Sequence, residues 1–193
     1  MKKLSVLIFA TILFASCGGS KSRYQTITIK TGYGNIVAEL YTDKAPKTAH
    51  AFIENIKAGI YKNSSFYRVV NDGQSASYAK GVVQGGVYAT APALANDRPF
   101  IDHESPSTTG ITHIDGTLSM ARTAPGTAKT EFFICIGDQT GYDNSKLLQP
   151  DGLGYAAFGR VIEGMNVVRK IQGRPSSNDK FDQNIKIDNI SLN

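Results

Sequence analysis

Arg68 and Gln84 are the two polar side chains of this sequence set most plainly to do chemistry. Arg68 stands inside the run Phe66-Tyr67-Arg68-Val69-Val70 and Gln84 inside Val82-Val83-Gln84-Gly85-Gly86. Apolar residues at strand spacing surround each of them, so a guanidinium and an amide are carried on stiff β elements beside an apolar surface. A third run, Gly116-Thr117-Leu118-Ser119-Met120-Ala121-Arg122, leads on to Glu131-Phe132-Phe133-Ile134-Cys135 and adds aromatic rings. A fixed planar donor next to an aromatic floor suits a ligand that joins an apolar ring to a polar backbone. It does not suit a phosphate, because the glycines after Gln84 are followed by no Lys-Ser or Lys-Thr pair.

Other nucleophile and metal readings are weaker. Asp102-His103-Glu104 places three potential ligands side by side, but adjacent residues of an extended segment point apart, and no His or Cys spacing typical of a metal site occurs. His50, His103 and His113 read as helix, loop and strand residues, and no metal or cofactor is expected. Ser119 lies in no Gly-x-Ser-x-Gly elbow, which argues against a hydrolase. Cys135, between two isoleucines with no base nearby in sequence, reads as a core residue.

The elements that must position these groups are largely strands. Ile27 and Ile29 alternate with polar neighbours, Thr31-Gly32-Tyr33-Gly34-Asn35 has hairpin chemistry, and Ile36, Ala38 and Leu40 resume the alternation. Pro46 suits a first helical turn, with Asp43 or Lys44 near the cap, and Ala49, Phe52, Ile53 and Ile56 trace one helical face up to Gly59. Residues 63 to 161 read as short strands between turn-rich stretches, without the strand-helix repeats of a parallel sheet. A second helix is predicted from Met165 to Ile171. A last strand follows through Ile185, Ile187, Ile190 and Leu192, whose change of phase predicts a bulge. The fold expected is mainly β, a closed antiparallel barrel with two capping α-helices.

Taken in order, these runs resemble the signature strands of the cyclophilin family of peptidyl-prolyl cis-trans isomerases. Tyr41-Thr42-Asp43-Lys44-Ala45-Pro46-Lys47-Thr48 and Tyr155-Ala156-Ala157-Phe158-Gly159-Arg160-Val161 add to the likeness, which covers roughly residues 24 to 193. The resemblance implies a cyclophilin-like barrel that accelerates X-Pro isomerisation. Arg68, Gln84 and Phe133 would be its catalytic residues, and Val82, Ala121, Arg122, Glu131 and Tyr155 would contact the substrate. At Arg122 the backbone is expected to matter more than the side chain. Proline-containing polypeptides would be the partners. Because no proton is transferred, activity should be nearly flat from about pH 6 to 9.

The chain departs from the family pattern in several places. Asn71 to Gly81 is longer than usual, and Gly81-Val82 replaces a Phe-Met pair, so one aromatic wall is missing. Tyr78 would refill it if the longer loop folds inward, the other reading being a solvent-exposed loop. Leu147 or Leu148 would supply another edge. Glu131 stands where Gln is common, Tyr155 where many members have His, and Trp is absent. These departures support an alternative, a catalytically weak module that binds peptides as a chaperone.

The remaining features concern location. Met1-Lys2-Lys3, an apolar run from Leu4 to Ala15 too short for a ~30 Å hydrocarbon core, and Phe14-Ala15-Ser16-Cys17 resemble a bacterial lipoprotein signal peptide. Residues 1–16 would be removed, Cys17 would carry the lipid, and 17–23 would be a tether to a domain over 24–193. This predicts a lipid-anchored protein of the bacterial cell envelope, facing the periplasm. The formal charge of +5 includes Lys2 and Lys3, and losing them with no acids leaves +3, too mild to argue for nucleic acid. A monomer is expected.

Overall fold

The computed structural model describes residues 23–72, 80–144 and 150–193. Cys17, Tyr78, Leu147 and Leu148 lie outside these described residues. In chain order the elements are β1 (Gln25–Thr31), β2 (Gly34–Leu40), α1 (Pro46–Lys57), β3 (Ser64–Asp72), β4 (Lys80–Gly86), α2 (Pro92–Asn96), α3 (Pro106–Thr109), β5 (Thr117–Met120), β6 (Phe132–Ile136), α4 (Gly141–Asn144), β7 (Ala156–Glu163), α5 (Met165–Gln172), β8 (Ser176–Ser177) and β9 (Lys180–Leu192).

Eight strands close a barrel in the order β1-β2-β7-β5-β6-β4-β3-β9, with β9 returning to β1, while β8 pairs only with β9. Every pairing is antiparallel, and closure leaves no open edge on the barrel. The predicted slip in the last strand is present: Lys30 pairs with Asn189 but Thr31 with Ile187, so Asp188 is the bulged residue. Alternation fills the interior with Ile27, Ile29, Ile36, Ala38 and Leu40, all fully buried. The rings of Phe52, Tyr61, Phe66, Phe132 and Phe158 meet at 4.9–5.9 Å in the same core. Burying a phenyl ring this completely is worth roughly 3 kcal/mol, so Phe52 helps to hold α1 on the barrel together with Ala49, Ile53 and Ile56.

The two long helices stand where the sequence places them, but among the described residues three one-turn helices (α2, α3 and α4) join them. Their four or five residues are too few to show a helical period, although Pro opens both α2 and α3. The cap of α1 also differs from expectation. Its N-cap is Ala45 with no side-chain cap, and Glu104 caps from a distant loop, accepting from the backbone N–H of Lys47 (3.2 Å) and Thr48 (2.8 Å). Asp43 instead pairs with Arg23 at 2.6 Å, and Asp102 with Lys47 at 2.8 Å. Glu104 and Asp102 therefore serve a helix N-terminus, where negative charge is favourable, and among the described residues no group of three His, Cys, Asp or Glu side chains gathers as for a metal ion. No described helix is long and apolar enough to cross a membrane.

Candidate active site

Strand β6 carries the decisive alternation. Phe132, Ile134 and Ile136 point into the barrel, while Phe133 and Cys135 face outward and gather a second apolar cluster with Val82 of β4. On this outer face lies a cavity of about 200 Å³ lined by seven of the sequence-assigned residues: Arg68, Val82, Gln84, Ala121, Arg122, Phe133 and Tyr155. It is smaller than the ~300–1,000 Å³ of drug-sized sites, and suits a single side chain. Glu131 lines instead a neighbouring cavity of about 490 Å³, which shares Gln84, Ala121 and Arg122 with the first.

The polar wall comes from β3 and β4. Arg68 and Gln84 are cross-strand partners, and Arg68 Nη1 donates to Gln84 Oε1 at 3.2 Å. Arg68 Nη2 meets Asp179 at 3.3 Å. Asp179 sits in the two-residue turn between β8 and β9, where Asn178 (φ 50°) and Asp179 (φ 60°) are both left-handed, as a tight hairpin of this hand requires. Both groups are substantially exposed, so the pair adds direction rather than much energy.

The aromatic wall contains a residue that the sequence did not reveal. Tyr142, on α4, forms an edge-to-face triangle with Phe133 and Tyr155, with centroids 5.6, 5.2 and 5.3 Å apart. It helps to line the cavity that position 81 leaves without an aromatic side chain. Gly81 itself has φ +141°, and a Cβ there would overlap the carbonyl of Val70, so no side chain fits at this point of the ladder. The signal for Tyr142 was weak, a lone aromatic in a Gly/Asp/Asn-rich stretch.

Arg122 departs from expectation too. Its side chain is only 1% exposed and clamps Asp151 with both terminal nitrogens (2.8 and 2.9 Å) while donating to the carbonyl of Gly154. Its guanidinium lies 5.5 Å from the centre of the Tyr155 ring. The bidentate cation holds the Asp151 carboxyl down to about 2, chiefly by hydrogen bonding. The side chain thus holds the segment that presents Tyr155.

Behind Phe133 lies an arrangement that resembles a nucleophilic triad. His113 Nδ1 is 2.6 Å from Asp143 and its Nε2 is 2.9 Å from Ser119 Oγ. Ser119 and His113 are fully buried, and the imidazole stacks on Phe133 at 5.9 Å and 17°. No substrate reaches Ser119, which rules out a hydrolase at this point, and the array braces the cavity floor. His113 lies just before β5 rather than within it. Burial lowers its pKa below 6.5 against the pull of Asp143, so the neutral ring donates from Nδ1 and accepts from Ser119. An unfolded chain takes up this proton first as pH falls, so stability contributed by neutral His113 is complete above about pH 6.5 and lost below it. Urea midpoints should therefore drop between about pH 7.5 and 5.5, and the His113 ring resonances should titrate below 6.5; titration above that value would contradict the assignment.

Cys135 is buried, which pushes its thiol up and leaves it inert.

The chain is similar to known proteins over most of its length. The family model described as "Cyclophilin type peptidyl-prolyl cis-trans isomerase/CLD" matches residues 26–192. A peptidyl-prolyl cis-trans isomerase of Acinetobacter baylyi is 35% identical over 82% of this chain and 78% of its own. Peptidyl-prolyl cis-trans isomerase B of Escherichia coli is 32% identical over 86% and 95%. A crystal structure of a cyclophilin type peptidyl-prolyl cis-trans isomerase of Cryptosporidium parvum shares the fold at a TM-score of 0.68 and 23% identity, covering 88% of this chain and 98% of that one. A second structure of that protein, determined in the presence of the dipeptide Ala-Pro, gives a TM-score of 0.67.

Proposed function

The chain belongs to the cyclophilin-type peptidyl-prolyl cis-trans isomerases, and on that premise we propose that the outward cavity over Phe133 is where it turns the X-Pro bond. The observation that carries this is Arg68, bonded to Gln84 at the rim of an aromatic cavity sized for one side chain. An X-Pro amide turns slowly because its partial double bond must be lost, at a cost of roughly 18–20 kcal/mol. As the bond twists, the prolyl nitrogen regains a lone pair and becomes a hydrogen-bond acceptor. A guanidinium held at that point stabilises the twisted state more than either planar isomer, which is what lowers a barrier.

Phe133, with Tyr142 and Tyr155 on its edges, takes the prolyl ring, and Val82 borders the same space. The backbone N–H of Ala121 is taken by the carbonyl of Glu131 at 2.8 Å, so extended pairing with the substrate chain falls to Arg122. A proline-containing peptide fits this arrangement, in keeping with the Ala-Pro present with the Cryptosporidium protein. No cofactor enters the mechanism.

The start of the chain supports a location. The run Phe14-Ala15-Ser16-Cys17 and the polar stretch to Arg23 suit a lipid anchor on Cys17 and a tether, which would place the enzyme on the bacterial envelope, facing the periplasm, where exported proteins fold. A Cys17→Ser variant is expected to move from the membrane fraction to the soluble fraction with its isomerase activity intact. Equal membrane retention of the variant would overturn the anchor.

A further inference from the structure

The hydrogen bonds behind Arg68 run in one direction only. Arg68 donates to Gln84 Oε1, Gln84 Nε2 donates to Tyr67 Oη at 2.8 Å, and Tyr67 Oη donates to Glu131 Oε2 at 2.7 Å. The other carboxylate oxygen of Glu131 accepts from the backbone N–H of Val87 (2.9 Å) and Tyr88 (3.0 Å) and from Thr130 Oγ1 (3.0 Å). The two ends have no choice of role, since a guanidinium only donates and a carboxylate only accepts. The two groups between them do have a choice, because an amide can rotate and a hydroxyl can donate or accept. With both ends fixed, a single arrangement satisfies every group, and it turns the Gln84 oxygen toward Arg68.

We propose that Glu131 is a positioning residue for the isomerisation, its ionised carboxylate setting the direction of the Tyr67–Gln84 chain and so keeping an acceptor facing Arg68. The proposal rests on the catalytic reading of Arg68 given above. The carboxylate has a built place in the fold. Gly86 has φ +147°, and a Cβ there would overlap the Glu131 carboxyl group, so the end of β4 is shaped around it. Its charged and titratable surroundings are consistent with that role. Burial raises the Tyr67 and Tyr61 phenols, keeping both protonated. Arg98 is bonded to Asn55, and the Lys129 ammonium donates to the carbonyl of Asn96. Arg68 acts through Gln84.

A neutral group at position 131 removes the constraint. Glutamine would keep an oxygen toward Val87 and Tyr88 but turn its NH2 toward Tyr67. The Tyr67 oxygen would then face donors on both sides, and the relief is rotation of Gln84, which aims its NH2 at Arg68. Protonating Glu131 has the same effect. Burial raises this carboxyl above its ordinary 4.5 against four hydrogen bonds that pull it down. Activity is therefore complete where Glu131 is ionised and falls as pH drops through its raised value.

The test compares kcat/KM of the wild type, Glu131→Gln, Glu131→Gln/Tyr67→Phe and Arg68→Ala across about pH 5 to 8. Glu131→Gln should lose about tenfold at neutral pH with peptide affinity within about twofold, and should lack the acid limb of the wild type. Removing the Tyr67 hydroxyl as well ends the conflict between donors, so the double variant should recover at least about threefold over Glu131→Gln, an opposite-sign coupling that a merely structural role would not give. The proposal is overturned if Glu131→Gln matches the wild type, or if the double variant is the less active of the two. Should Glu131→Gln not fold, Tyr67→Phe alone breaks the same chain and must lower kcat/KM at unchanged affinity; equal activity overturns the proposal. A wild type without activity, or Arg68→Ala with full activity, would instead overturn the reading of the site itself.

Discussion

Replacing Arg68 with alanine should lower kcat/KM for an Ala-Pro peptide by about 100-fold while leaving the protein folded. Loss of one preorganised donor to a developing acceptor costs roughly 2.7–4 kcal/mol elsewhere, which corresponds to a hundredfold or more. The barrel should tolerate the change, because the Arg68 side chain is 42% exposed and its ion pair with Asp179 is open to water. Lysine at 68 should recover little, since an ammonium cannot present two donors in one plane to Gln84 and the prolyl nitrogen. A peptide exchange rate within about twofold of wild type for a folded Arg68→Ala protein would remove Arg68 from the mechanism.

The second large effect is expected at Arg122, for a structural reason. Arg122→Ala takes a buried cation away from Asp151 and from the Gly154 carbonyl, and so frees the segment that holds Tyr155 against Phe133 and Tyr142. Activity should fall by about tenfold, with loss of peptide affinity contributing, because the prolyl pocket loses a wall. Limited proteolysis should speed up near residues 150–155. Arg122→Lys should resemble alanine more than wild type, because the clamp uses a planar fork. Unchanged cleavage and activity in Arg122→Ala would return the emphasis to the backbone at this position.

Arg122 also shows where a sequence stops being informative. Strand alternation separates Phe132 from Phe133, because the period of a strand is local and visible in a short run, whereas the pairing of Arg68 with Gln84 came only through the family resemblance. The hairpin of β1 and β2, the two long helices and the bulge in β9 were legible because their patterns are local too. Contacts between residues far apart in the chain were not. Glu104 caps α1 from 56 residues away, Asp143 reaches His113 across 30, and Asp151 meets Arg122 across 29. Each pairing depends on how loops settle on a finished barrel, and no local pattern encodes it. Ser119 and His113 illustrate the point in reverse, since only burial distinguishes a brace from a nucleophile. Tyr142 and Asp179 belong to the same class, one on a helix of four residues and one in a turn. The direction of the Tyr67–Gln84 chain likewise emerges only when both of its ends are seen.

The measurement that bears most directly on the account is nuclear magnetic resonance exchange of a short Ala-Pro peptide in the presence of residues 24–193. Catalytic amounts of the folded domain should bring the cis and trans signals into exchange on a scale of milliseconds to seconds, against ~10–100 s unaided. At the same time, chemical shifts should change at Phe133, Tyr142 and Tyr155. A folded domain that shifts those resonances but leaves the isomers exchanging at the unaided rate would contradict the account, leaving a peptide-binding barrel.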